Sequence, residues 1–252
     1  MEAVEKFETI YGINPISEAL KQETRIFREI LTARRGKDSS LQEILRLAEK
    51  KNIPVRKIND AELFRLTETR NHQGIAALIS PLNFLSLEKL VEKAFSRTRT
   101  PVLALLDEIQ DPGNLGSMVR SAEVLGVDGL IVTRERSAGF TPTVLKRSAG
   151  ALFYMAIARV TNLSRALLTL KENGFWIAGI EAEGEQFCYD YKFDTPTAIV
   201  IGSEAKGIRR LVKKNCDTIL SIPMEGNVSS LNAASAATVV FYEILRQKLK
   251  KE

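Results

Sequence analysis

The sequence predicts an α/β protein, with a mostly parallel sheet in its second half preceded by a smaller α/β domain. Three observations predict it. From residue 100 onward, short apolar runs alternate with helix-length amphipathic stretches, the pattern of βα units. Several of these runs pass straight into glycine-bearing polar turns, as strands do at the carboxyl edge of an open sheet. Before residue 80 the same alternation is present on a smaller scale, and Pro81 marks its end.

Taken in order, Tyr11-Gly12-Ile13-Asn14-Pro15 reads as a turn leading into a helix over 16–21. Residues 26–31 have strand character. Ser39 or Ser40 can cap a helix through Lys50 whose stripe is Leu41, Ile44, Leu45 and Ala48. A short edge strand follows at 53–55. Asp60 caps a helix carrying Leu63 and Leu66, and 74–79 closes the unit as a buried strand. The order αβαβαβ predicts a compact sheet with helices on its faces, over residues 1–80. Residues 81–99, with a helix at 85–95 and the polar lead 96–100, read as an interdomain linker. Residues 100–252 form the second domain. Its strands are expected at 102–106, 129–133, 153–160, 176–180, 198–201 and 218–222, and its helices at 115–125, 141–148, 163–172, 208–215 and 230–248.

Composition excludes several classes. With 252 residues, 44% hydrophobic and 27% charged, the chain is of ordinary globular make-up. It has no apolar run long enough to span a membrane and no secretory signal pattern, so a cytoplasmic protein is expected. Cys188 and Cys216, the only cysteines, lack metal-ligand spacing, and His72 is the only histidine. A histidine triad or a multi-histidine metal centre is therefore not expected, and no metal is assigned. The net charge of +5 is concentrated in residues 1–100, which hold 18 Lys/Arg against 14 Asp/Glu. This suits a polyanionic partner such as RNA. The cluster Arg34, Arg35 and Lys37 is a solvated turn or an RNA phosphate contact. His72 reads as structural or RNA-facing, Phe175 and Trp176 as core, and Glu181, Glu183 and Glu185 as a solvated face.

Three stretches of the second half concentrate polar residues after strands. In the first, Asp111-Pro112-Gly113-Asn114 turns the chain into a helix with Leu115, Met118, Val119, Ala122 and Leu125 on one face; Asn114 sits where an N-cap sits, and Arg120 lies off the stripe. The second runs from strand 199–201 through Gly202-Ser203-Glu204-Ala205-Lys206-Gly207. The third runs from 220–222 through Pro223-Met224 to Ser229-Ser230-Leu231-Asn232. None is a nucleotide-phosphate loop: Ile208 stands where Lys-Ser/Thr would be required, and no dinucleotide fingerprint is suitably placed. What remains is a ligand held by the backbone of irregular loops, with plain βα connections as the alternative.

Together, in order and spacing, the three stretches resemble the motifs of the SpoU/TrmH RNA ribose 2′-O-methyltransferases of the SPOUT class. Residues 11–15 and His72-Gln73-Gly74-Ile75 resemble the start and end of that family's substrate-binding domain. The resemblance covers nearly the whole chain and is nearest to RlmB-type members, which methylate a guanosine of 23S ribosomal RNA. It implies a trefoil knot in the C-terminal domain, S-adenosylmethionine held near Gly202, Ile222, Met224 and Leu231, and a homodimer in which Arg120 serves the cofactor of the other subunit. Asn114, Arg120, Glu204, Ser230 and Asn232 are polar, fall at three loop edges that one sheet could bring together, and form the candidate catalytic set. Because guanidinium almost never deprotonates, Arg120 is expected to clamp the target phosphate and stabilise the forming alkoxide rather than act as base. Asn114 would orient Arg120 or the ribose, and Glu204 the cofactor's amino acid part or the loop. Two rivals stand beside this reading: the same reaction on another rRNA or tRNA ribose, and a non-catalytic RNA-binding assembly factor.

Overall fold

The computed structural model describes residues 7–23, 25–33 and 39–250. In chain order the elements are β1 (Glu8–Tyr11), α1 (Ile13–Lys21), β2 (Phe27–Thr32), α2 (Ser39–Lys50), β3 (Val55–Lys57), α3 (Asp60–Thr67), β4 (Ile75–Ile79) and α4 (Leu87–Arg97). Then come β5 (Val102–Leu106), α5 (Pro112–Val124), β6 (Gly129–Thr133), α6 (Pro142–Arg147), β7 (Ile157–Val160), α7 (Leu163–Glu172) and β8 (Trp176–Ile180). The chain ends with β9 (Gln186–Phe187), β10 (Thr197–Ile201), α8 (Arg210–Lys213), β11 (Thr218–Ser221) and α9 (Ala233–Leu249). They divide into two compact units, Met1–Asn83 with Phe140–Phe153, and Phe84–Gly139 with Tyr154–Glu252.

The first unit has a four-stranded sheet in the order β1-β4-β2-β3. The sequence reading missed β1, whose four residues are too few to show a period; antiparallel pairing with β4 makes it a strand. Tyr11, Leu31, Leu63 and Ala76 form a buried cluster here. The segment 140–153 belongs to this unit rather than to the second domain. Its helix α6 buries Val144 and Leu145, and Gly150, at φ +89°, lies against Glu18. Arg34, Arg35 and Lys37 lie outside the described residues.

The second unit has a seven-stranded sheet in the order β7-β6-β5-β10-β8-β11-β9, all of its pairings parallel. Residues 84–99 are not a linker but belong to this unit, and 81–83 belong to the first. Leu87, Leu90, Val91 and Ala94 of α4 are buried in one cluster with Leu103, Leu105, Ala198, Val200 and Leu167. Four apolar residues at i, i+3, i+4 and i+7 cannot be left in water when a sheet face can cover them. Trp176 is 47% exposed rather than core, whereas Phe175 is buried as expected. The predicted strand 153–160 shortens to β7, preceded by a 3₁₀ turn at Ala151–Phe153.

β10 lies between β5 and β8, with Ile201 opposite both Leu106 and Ile180, and Leu220 of β11 is opposite Ile180. Because all four strands run the same way, their carboxyl ends share one sheet edge. The chain reversals after β5, β10 and β11 must then emerge side by side.

Candidate functional site

The loop after β5 enters α5 at Asp111, whose Oδ1 accepts the Asn114 N–H at 2.6 Å. Asp111, not Asn114, is the N-cap, and Pro112 occupies the first helical turn, where its missing N–H costs nothing. Asn114 therefore keeps its side chain for other partners. Asn232 caps α9 in the same manner, with Oδ1 accepting Ala234 N–H at 2.9 Å and Ser235 N–H at 3.2 Å. Because its oxygen is committed to the helix, its NH₂ group must point away. It donates to Asn114 Oδ1 at 2.9 Å and to Glu204 Oε2 at 3.1 Å, and Asn114 Nδ2 lies 3.5 Å from the same carboxylate oxygen. One residue from each of the three loops thus meets at a single point, across sequence separations of 28 to 118 residues.

The loop that presents Glu204 is pinned from below. Ser203 pairs with Gly207, whose N–H donates to Ser203 O at 2.8 Å, and Gly207 sits at φ +62°. Glu181, at the end of β8, accepts the Ile208 N–H through Oε1 and pairs with Lys213 through Oε2, both at 2.8 Å. Asp107, fully buried at the end of β5, accepts Arg209 N–H at 2.9 Å and Arg209 Nε at 2.7 Å. A buried carboxylate is tolerated because it is paired and hydrogen-bonded. The same hydrogen bond to Asp107 raises the Arg209 pKa above its ordinary value. Sequence reasoning missed these supports. Glu181 was read as part of a solvated face with Glu183 and Glu185, which are exposed. Its place directly after a buried strand was the one available signal.

Two cavities flank Glu204. One, of about 290 Å³, is lined by Gly202, Ile222, Met224, Ser230 and Leu231 together with Ile180. The other, of about 220 Å³, is lined by Gln110, Asp111 and Asn114 and shares Ser203, Glu204 and Lys206 with the first. The residues singled out in the second and third loops are therefore together. Arg120 is not with them. It is exposed on α5, and its side chain makes no hydrogen bond or ion pair among the described residues. His72, in the first unit, is buried. Its Nδ1 accepts the Gly74 N–H at 3.0 Å, which makes it a turn-holding residue.

Residues 101–242 match the SpoU rRNA Methylase family, and residues 9–85 match the family described as RNA 2′-O ribose methyltransferase substrate binding. The chain belongs to the SpoU family. Among its relatives, a protein of Bacillus subtilis named for the TrmH family of tRNA/rRNA methyltransferases is 35% identical over 97% of both chains. An uncharacterized tRNA/rRNA methyltransferase of Synechocystis is 39% identical over 98% of this chain, which spans 64% of that relative's length. Among solved structures, the SpoU methyltransferase AviRb of Streptomyces viridochromogenes superposes with a TM-score of 0.81 at 27% identity, covering 98% of this chain and 91% of the other. It has also been crystallised with S-adenosylmethionine, the cofactor of SpoU methyltransferases.

The residues present in this SpoU chain fit that cofactor. The 290 Å³ cavity pairs apolar walls at Ile180, Ile222, Met224 and Leu231 with the polar groups of Ser203, Glu204 and Ser230. That is the mixture an adenine and a charged amino acid tail require. At Gly202 the backbone of 207–208 approaches so closely that no side chain has room. Among the described residues no helix is long and apolar enough to cross a membrane.

Proposed function

We propose that the chain transfers a methyl group from S-adenosylmethionine to a ribose 2′-hydroxyl of RNA, at a guanosine of 23S ribosomal RNA. The observation that carries this is that Asn114 and Asn232 meet at Glu204, the residue that lines both cavities. The cavity at Gly202, Ile222, Met224 and Leu231 takes the cofactor, and the one at Gln110 and Asn114 takes the acceptor ribose. The cofactor supplies a methyl already activated on a positively charged sulfur, so alignment of the acceptor accounts for much of the rate.

Glu204 and Ser230 hold the polar end of the cofactor. Asn232 locks Asn114 and Glu204 in register, and Asn114 orients the ribose. Arg120 clamps the flanking phosphate through its planar fork and stabilises the forming alkoxide, while the departing proton goes to that phosphate or to water. Its isolation on α5 accords with a homodimer in which each Arg120 serves the partner subunit's site. A trefoil knot in the C-terminal domain is part of this reading.

The test is to map 2′-O-methyl groups in ribosomal and transfer RNA from cells lacking the protein. Loss of one 23S guanosine modification is expected; an unchanged map overturns the reading, and loss at a tRNA ribose reassigns the substrate. Arg120→Lys separates charge from geometry. Near-complete loss of activity with calorimetric cofactor binding intact supports the fork, and largely retained activity overturns it.

A further inference from the structure

A cavity of about 740 Å³ lies in the second unit and shares no lining residue with the two that flank Glu204. Arg134, Arg159 and Arg165 line it, with Phe84, Glu88 and Thr169. Its position follows from the sheet. Arg134 directly follows β6, and its N–H donates to Val160 O at 2.9 Å, at the end of β7. Arg165 lies in the first turn of α7, capped by Asn162, whose side chain accepts the Arg165 N–H at 3.1 Å. Asn162, Arg165, Ala166 and Thr169 recur at the spacing of one helix face.

Three arginines on one wall need an explanation, because like charges brought together repel. Arg159 is held over the Phe84 ring at 3.8 Å. Glu88 forms no ion pair with the other two. It is held below the usual carboxylate range by hydrogen bonds at its own helix start, from its backbone N–H and from Ser86. Among the described residues, no ion pair joins Arg134 or Arg165 to any carboxylate. Both are exposed.

The cavity also lies at the carboxyl edge of the sheet, where the reactive loops are. With strands about 4.8 Å apart, the end of β7 stands roughly 10 Å from the end of β5, the scale of a few nucleotides along a strand. The geometry points to a groove for the RNA sugar-phosphate backbone beside the acceptor nucleotide, with Arg134 and Arg165 each contacting a phosphate. This rests on RNA being the substrate. Phosphate contacts of this kind set register and carry no sequence preference.

The experiment measures binding rather than turnover, using the full chain and a fluorescein-labelled RNA hairpin over a range of KCl. Arg134→Ala/Arg165→Ala should flatten the dependence of log K on log salt by roughly 1.4 to 1.8, the effect of two lost phosphate contacts. Cofactor affinity by calorimetry should not change. Lys93→Ala/Arg97→Ala, which removes the same charge from exposed positions of α4 outside the groove, should change the slope less. An unchanged slope, or one shifted no more than in that control, overturns the groove. So does the finding that inorganic phosphate stabilises the wild type but not the variant while the RNA slope is unaltered, because the site then takes small anions. Absence of RNA binding by the wild type would instead refute the substrate assignment.

Discussion

A methyl group at Gly202 would meet the carbonyl group of Gly207 and the nitrogen of Ile208 well inside 3.0 Å, a separation real Cβ atoms do not show. The obstacle is backbone, so no rotamer change relieves it, and the 207–208 segment must move. Three hydrogen bonds hold that segment: Gly207 N–H to Ser203 O at 2.8 Å, Ile208 N–H to Glu181 at 2.8 Å and Arg209 N–H to Asp107 at 2.9 Å. At about 1 kcal/mol each, their loss costs roughly 3 kcal/mol. That is at the top of the range for overpacking, about 1–3 kcal/mol. In a chain of this size it lowers Tm by roughly 6–12 °C. The same displacement distorts the 290 Å³ cavity proposed for the cofactor, so an affinity loss of about a hundredfold is expected for Gly202→Ala.

Gly126→Ala is the comparison. Gly126 sits at φ +74° with open space around its missing Cβ, so only backbone strain of about 1 kcal/mol applies. It should lower Tm by roughly 2–4 °C and leave cofactor binding untouched. Thermal melts and titration calorimetry with S-adenosylmethionine read both quantities. If Gly202→Ala binds the cofactor as the wild type does and melts no lower than Gly126→Ala, the close approach of the two ends of the 202–208 loop is not what shapes the cavity.

Two further outcomes follow from the same geometry. Asn232→Ala removes both the helix cap and the bridge to Asn114 and Glu204, whereas Asn232→Ser keeps an oxygen for the cap. Alanine should cost about 1 kcal/mol in denaturant melts, serine a few tenths, and both should lose methyl transfer to the same extent, as read by tritium incorporation into RNA. If serine retains activity, the bridge is dispensable. Glu243 is held below its ordinary value of 4.5 chiefly by hydrogen bonds from Arg246, and also from Gln247. A depressed folded-state pKa means its contribution is complete above pH 4.5 and disappears as the pH falls through the lower folded value. Glu243→Gln should therefore flatten the loss of stability on acidification in that window, measured by urea melts. An acid limb identical to wild type would show that this contact contributes nothing.

How legible each feature was depended on how local its cause is. The three loops could be read from the chain because glycine, proline and short polar residues after apolar runs have local conformational reasons to form turns. The capping residue of α5 could not. Asp111 and Asn114 are both good caps, and only the 2.6 Å contact of Asp111 with the Asn114 N–H assigns the roles. The reading of 81–99 as a linker failed at α4 because amphipathicity says that a helix is covered, not by what. Glu181 was missed because alternation with Glu183 and Glu185 imitates an exposed edge.

The sequence by itself determined the α/β class, the strands around the reactive edge and the family, since these follow from short-range periodicity and ordered motifs. Only the tertiary structure decided that β10 inserts between β5 and β8, so that Asn114, Glu204 and Asn232 touch. The physical reason is that strand order is set by which buried faces pack together over a hundred residues of separation, a balance no local pattern records. The same packing drew 140–153 into the first unit and α4 into the second.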